Sequence, residues 1–335
     1  MKKIRWGVLS TAQIGTEKVI PAMQLGKYCK MTAIASRKLE KAQAAAKRLG
    51  IEKAYGSYEK LLIDPDIDAV YIPLPNHLHV PWAIKVLNAG KHVLCEKPIA
   101  LSTAEAQTLL DAAKNFPQLK IMEAFMYRTH PQWQRVKHWI SEGRIGKMRM
   151  VQTFFTYHNT NPHDIRNNSE VGGGGLMDIG CYCISLARFI FEIEPCRVCG
   201  TMEVDPKFKI DRLTSGILDF GNGTSSFTCA TQLLHYQRAS ILGTKGRIEI
   251  EMPFTPSPDK SCKIWLEDDA GIEEVTMDIC NQYTIQGDLF SQAVLEDKEV
   301  PEPLEDAVGN MQVIEAIAQS AMSKNWIQVK TCNSD

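Results

Sequence analysis

The sequence predicts an α/β chain in two domains, a parallel-sheet domain first and an α+β domain with a large, mainly antiparallel sheet second. Three observations carry this. The first third alternates short apolar runs with helical spacings. From Arg197 to about Met277, strand-like runs follow one another with tight turns between them. A length of 335 residues also exceeds what one ordinary core accommodates.

Taken in order, Ile4 to Leu9 reads as a strand, Ile14 to Leu25 as a helix and Met31 to Ala35 as a second strand. Leu39 to Leu49 is an alanine-rich helix stopped by Gly50. Ala69 to Ile72 is a buried strand, Val80 to Ala89 a helix closed by Gly90, and His92 to Cys95 the next strand. Ser102-x-x-Glu105 is a capping box that opens another helix, and Lys120 to Ala124 is one more strand. Such alternation implies βαβ units, a parallel sheet and right-handed crossovers. The pattern changes near residues 120 to 130, which predicts domains at 1–123 and 124–335. A helix from Pro131 to Glu142 stops at Gly143, and Met148 to His158 is a long strand. A glycine run leads into a helix from about Leu176 to Phe191. The later strands are broken by turns such as "DFGNGT" (219–224) and "LGTKGR" (242–247), as in antiparallel sheets. A helix from Ala307 to Met322 and a strand from Trp326 to Val329 close the chain.

Composition narrows the function classes. Lys and Arg number 38 against 39 Asp and Glu, with no large basic block, which argues against nucleic acid and anionic membrane as partners. No apolar run approaches the roughly 20 residues of a bilayer span. The stretch MKKIRWGVLS reads as a strand rather than a signal peptide. The ten cysteines then read as reduced thiols of a cytoplasmic protein. Cys181-x-Cys183 and Cys196-x-x-Cys199 lack a second pair at zinc spacing and read as small buried hydrophobes, so no metal site is expected.

"WGVLSTAQIG" (6–15) runs strand, tight turn, helix, the place where a dinucleotide fold seats its pyrophosphate on backbone N–H groups. Ser10, Ala12 and Gly15 occupy the three glycine positions of the usual fingerprint, with Thr11, Gln13 and Ile14 completing the loop. An ordinary βα turn is the plainer alternative. The second strand runs into "ASRKLEKA" (35–42), so Ser36, Arg37, Lys38 and Lys41 stand where an NAD fold carries an acidic residue. A guanidinium fork, ammonium groups and a hydroxyl suit a 2′-phosphate, which favours NADP over NAD. Cations at a helix start oppose its dipole, so a purely structural account is strained.

Three stretches carry candidate chemistry. "PLPNHLH" (73–79) ends one strand and supplies Leu74, Pro75, Asn76 and His79 to a pocket floor. "CEKP" (95–98) ends the next and puts Glu96 and Lys97 at the carboxyl edge, where such sheets bind ligands. A surface Lys–Glu pair is the bland alternative. "GGGGLMDIGCYCIS" (172–185) sets Asp178 and Tyr182 four apart, on one helical face. Its glycines let the backbone approach a ligand or turn sharply into the helix. A tyrosine beside an ammonium group can exchange a proton with a substrate hydroxyl, because the cation stabilises phenolate.

These stretches, with "EAFMYRTHPQ" (123–132) and "ILGTKGRIEIEMPF" (241–254), occur in one order along nearly the whole chain. Together they resemble the glucose-fructose oxidoreductase/inositol dehydrogenase/MocA family, nearest its dihydrodiol dehydrogenase and NADP-xylose dehydrogenase branch. The resemblance implies a Rossmann domain, then a domain with an open sheet often used for oligomerisation. It implies Lys97 as the catalytic lysine, Tyr182 as acid/base, Asp178 beside them, and Arg166 of "HDIR" near the substrate. It sets Arg128 and His130 near the nicotinamide and the substrate pocket. The expected activity is NADP-dependent hydride transfer with a carbinol/carbonyl of a sugar, sugar derivative or cyclic vicinal diol. The expected partner is a second copy of the chain, as dimer or tetramer. A non-catalytic NADP-binding sensor, and an enzyme that never releases its cofactor, remain alternatives.

Overall fold

The structure is a computed structural model that describes residues 2–329. It divides into two compact units, Met1–Met126 with Asn281–Val308, and Tyr127–Cys280 with Gly309–Asp335.

The first unit begins with β1 (Ile4–Leu9), which leads through a tight turn into a helix. That helix is π-wound over Gly15–Val19 and continues as α1 (Ile20–Gln24). Then follow β2 (Cys29–Ala35), α2 (Leu39–Leu49), β3 (Lys53–Tyr55), α3 (Tyr58–Leu62), β4 (Ala69–Ile72), α4 (His79–Asn88), β5 (His92–Cys95), α5 (Thr103–Ala113) and β6 (Ile121–Glu123). The strands lie in the order β3-β2-β1-β4-β5-β6, and every pairing is parallel. The strands are apolar runs because helices cover both faces of such a sheet. Trp6, Val8, Ile34, Tyr71 and Leu94 are accordingly fully buried. The order reverses between β1 and β4, the topological switch where doubly wound sheets bind ligands beyond their carboxyl ends. β3 and α3 escape the sequence reading because three to five residues carry too little periodicity.

The second unit opens with α6 (Pro131–Ser141) and β7 (Met148–His158). A π turn, Leu176–Gly180, runs into α7 (Cys181–Phe191). Seven strands follow, β8 (Arg197–Val204), β9 (Asp211–Asp219), β10 (Thr224–Ala230), β11 (Gln232–Gly243), β12 (Arg247–Ile250), β13 (Lys263–Asp268) and β14 (Gly271–Thr276). β7 and β10 pair in parallel; their other partners run antiparallel. Every residue of α7 but Phe189 is buried, the mark of a helix enclosed within a core. This corrects the expectation that no stretch is long and apolar enough to span a bilayer. By length and composition Ser169–Phe191 qualifies, but 83% of its most apolar window is buried inside the fold.

The chain then returns to the first unit with α8 (Gln282–Leu295). Phe290 packs on Trp6 with ring centroids 5.3 Å apart, and Trp6 Nε1 donates to Ser291 Oγ at 3.1 Å. Asp288 accepts from the backbone N–H groups of Lys27 and Tyr28, each at 2.9 Å. The single boundary at 123/124 therefore does not describe the fold: the first unit runs to Met126 and is completed by Asn281–Val308. The reason is physical, since an indole at the sheet face needs a cover and local periodicity does not say which distant helix supplies it. Residues 330–335 of the expected second domain lie outside the described residues. α9 (Leu304–Ser323) and β15 (Ile327–Gln328) end the described chain, and β15 pairs antiparallel with β8. The complete sheet has the order β14-β13-β12-β11-β7-β10-β9-β8-β15.

Candidate active site

The carboxyl edge of the parallel sheet gathers the three loops that the sequence marks. After β1, Ser10 takes φ +99°, a conformation that usually requires glycine. Its hydroxyl explains the exception: Oγ donates to the Pro73 carbonyl and accepts from the Ala12 N–H, both at 3.1 Å. Gly15 occupies the third fingerprint position, where a Cβ would touch the Pro73 ring at 3.4 Å, so close helix–strand packing is kept. Thr11, Ala12 and Ile14 are half-buried, and Gln13 is exposed with its amide on Glu17 at 2.9 Å. The turn fits a dinucleotide: a small-residue loop at the start of a helix, at the switch point of the sheet. At the end of β2, Ser36 is buried and its Oγ accepts from the Lys38 N–H at 3.5 Å. Arg37, Lys38 and Lys41 are exposed, and no carboxylate pairs with them among the described residues. Lys38 is the N-cap of α2 and gives it no side-chain cap, so the three exposed cations cluster at an uncapped helix start.

Lys97 follows β5 in a turn held from several sides. Its bond to Pro98 is cis. Glu96 accepts from the Tyr71 hydroxyl of β4 at 2.5 Å, and the Ile99 N–H donates to Glu123 of β6 at 2.6 Å. His79 is enclosed, with Nδ1 2.8 Å from the Pro98 carbonyl oxygen and Nε2 2.7 Å from that of Leu74. Burial pushes its pKa down to about 4 against the pull of those carbonyls. The sequence places His79 in a pocket floor, and at 0% exposure its ring presents no surface there. It ties the loop of Leu74, Pro75 and Asn76 to the Lys97 turn instead. Tyr71, buried, has its phenol pKa raised by burial and then by Glu96, so it stays a donor.

In the second unit Asp178 lies within the π turn, not on a regular α-turn, and Oδ2 accepts from two groups. Arg166 Nε donates at 3.2 Å and the Tyr157 hydroxyl at 2.6 Å. The Asp178 charge raises the Arg166 pKa, while burial and then Asp178 raise that of Tyr157. Tyr157, on β7, is a site residue that the sequence reading missed. Its only signal is a tyrosine near the end of a strand. Tyr182 is 4% exposed, with Tyr127, Phe155 and Phe254 rings 5.5 to 5.7 Å away. This cage fixes the ring. Arg128 directs Nη2 to Ser185 Oγ at 2.7 Å and stacks 5.2 Å over Phe189. His130 caps α6, its Nδ1 accepting from the Gln132 N–H at 3.2 Å, and burial lowers its pKa to about 4.

Cys181 and Cys183 are buried on α7 as small hydrophobes, while Cys196 and Cys199 are half-exposed. A cavity of about 830 Å³ lies elsewhere in this unit, lined in part by Phe154, Ile217, Thr228, Ser320 and Trp326.

Comparison with known proteins decides the family. Residues 4–122 match the oxidoreductase family with an NAD-binding Rossmann fold, and residues 133–249 match the GFO/IDH/MocA C-terminal domain. The chain belongs to the GFO/IDH/MocA oxidoreductases. As a member it is an NAD(P)-dependent oxidoreductase. An uncharacterized oxidoreductase of Rhizobium meliloti is 43% identical over 97% of this chain and 99% of its own. A D-xylose 1-dehydrogenase (NADP(+)) of Haloferax volcanii is 37% identical over 94% of this chain and 97% of its own. Among solved structures, the 3-ketoreductase KijD10 from Actinomadura kijaniata, in complex with NADP and TDP-benzene, has a TM-score of 0.89. It is 30% identical and covers 95% of this chain and 98% of its own.

Proposed function

We propose that this oxidoreductase uses NADP and transfers hydride to or from a carbinol/carbonyl of a sugar, a sugar derivative or a cyclic vicinal diol. The observation that carries the cofactor choice is the end of β2, where Ser36 is followed by three exposed cations without a carboxylate partner among the described residues. A 2′-phosphate is dianionic and accepts a guanidinium fork, whereas a ribose diol calls for an acceptor. The xylose dehydrogenase relative and the ketoreductase neighbour are named with NADP, which supports the same choice.

Ser10, Thr11, Ala12, Gln13 and Ile14 would cradle the pyrophosphate, and Ser36, Arg37, Lys38 and Lys41 the 2′-phosphate. Leu74, Pro75, Asn76, Glu96, Lys97 and Arg128 would complete the dinucleotide site. A bound nicotinamide supplies or accepts the hydride. Lys97 holds the substrate oxygen through its ammonium group, and a cation on that oxygen eases loss of its proton. Tyr182 exchanges the hydroxyl proton, and its aromatic cage keeps it from turning away. Asp178 accepts a substrate hydroxyl, and Arg166, partly exposed while bonded to Asp178, binds substrate oxygens. The partner expected from the resemblance is a second copy across the outward face of the second sheet, where Ile217 is exposed. Light scattering that finds only monomer at working concentration would remove it.

The test of the chemistry is Tyr182→Phe. Turnover is expected to fall by about 10²- to 10⁴-fold, the usual weight of a general acid or base, with NADPH affinity unchanged. Near-normal turnover would end the proton role.

A further inference from the structure

Protein atoms lie against Gly173, Gly174 and Gly175. The N–H groups of Gly173 and Gly174 donate to the carbonyls of Asn168 and Arg166, each at 2.9 Å. A Cβ on Gly173 would lie 2.5 Å from the Arg166 carbonyl oxygen. On the other side, at φ +117°, a Cβ on Gly174 would collide with Asp211 Oδ1, and one on Gly175 would lie 3.2 Å from Oδ2. Asp211 Oδ2 also accepts from the Leu176 N–H at 2.6 Å and from the Thr214 hydroxyl at 2.8 Å. Leu176 opens the π turn that carries Asp178 and runs on to Tyr182.

The donors to this carboxylate are all neutral, and no Lys, Arg or His pairs with it among the described residues. Burial raises its pKa. A buried charge without a counter-ion is costly unless its lone pairs are filled. Here backbone N–H groups, a hydroxyl and the positive end of a helix fill them. Asp211 reaches this helix start from β9, and the Gly174 N–H of the same run holds the Arg166 carbonyl. One carboxylate thus sets the segment to which Arg166, Asp178 and Tyr182 all belong.

We propose that Asp211 is a positioning residue for the reaction: it fixes the entry of the helix that presents Asp178 and Tyr182. This rests on the reading that those two side chains meet the substrate. The test compares Asp211→Asn, Tyr182→Phe and the double variant in the full chain. It reads kcat, KM and NADPH affinity, with amide hydrogen exchange over residues 172–182. Asn keeps the shape but turns one acceptor into a donor facing other donors. Exchange in Asp211→Asn should speed up at 172–182 and stay unchanged on the parallel sheet. kcat should fall by about 10- to 100-fold, the effect of misplacing a reacting group by about 1 Å, with NADPH affinity held within twofold. The double variant should then lose clearly less than the two single losses combined, because part of the Asp211→Asn loss runs through that side chain. Additive losses, or unchanged exchange over 172–182, would overturn the proposal. Full turnover in Tyr182→Phe alone would instead remove the reading beneath it, while exchange in Asp211→Asn still reports whether the segment is held. If Asp211→Asn does not fold, Thr214→Val removes one bond to the carboxylate and should show the same pattern at smaller amplitude.

Discussion

Two turns, one in each unit, solve opposite problems with unexpected residues. The turn after β1 needs a positive φ where relatives of the fingerprint use glycine, and it uses Ser10, held by the Pro73 carbonyl and the Ala12 N–H. The turn before the π turn Leu176–Gly180 has four glycines in a row, and protein atoms lie where a Cβ on Gly173, Gly174 or Gly175 would go. The difference teaches that a glycine is demanded by what must approach it. At Ser10 a hydroxyl stabilises the strained backbone. At Gly174 a carboxylate already stands where a Cβ would go.

The sharpest break of this comparison is Gly174→Ala. Strain at φ +117° and the collision with Asp211 together should cost about 3 kcal/mol or more, read as a lower denaturant midpoint. A stability equal to wild type would show that the run is loose and that Asp211 does not close on it. Next comes the anion end of the first unit. Arg37→Ala should weaken NADP⁺ by about 10-fold or more while leaving NAD⁺ nearly unchanged, as for loss of a bond to a charged group. An equal effect on both cofactors would move the 2′-phosphate elsewhere. The smallest effect is expected from Ser10→Gly. Relief of the backbone and loss of two hydrogen bonds nearly cancel, so stability should change by less than about 1 kcal/mol. A large loss would mean that the hydroxyl, not the conformation, holds the turn.

The parallel sheet was legible because its strands are apolar runs separated by helical spacings, and α2 and β7 match their expected limits. The cations after β2 and the lysine after β5 were legible because both sit directly at strand ends. What the sequence hid is long-range. Tyr157 meets Asp178 across 21 residues, and Asp211 meets Leu176 across 35. Neither pair lies at a helical or strand spacing, so no periodicity announces it. The helices bearing Gly15 and Asp178 each contain a π turn, which α-helical spacing does not foresee. The direction of His79 was hidden too: it stands in a loop rich in polar residues, yet faces inward onto two carbonyls.

The most direct test of the central claim is nicotinamide absorbance with purified protein, NADP⁺ or NAD⁺, and a panel of aldoses and cyclic diols, with Lys97→Ala measured alongside. Turnover with NADP⁺ that disappears in Lys97→Ala is the predicted result. Equal turnover in Lys97→Ala, or a preference for NAD⁺, would contradict it.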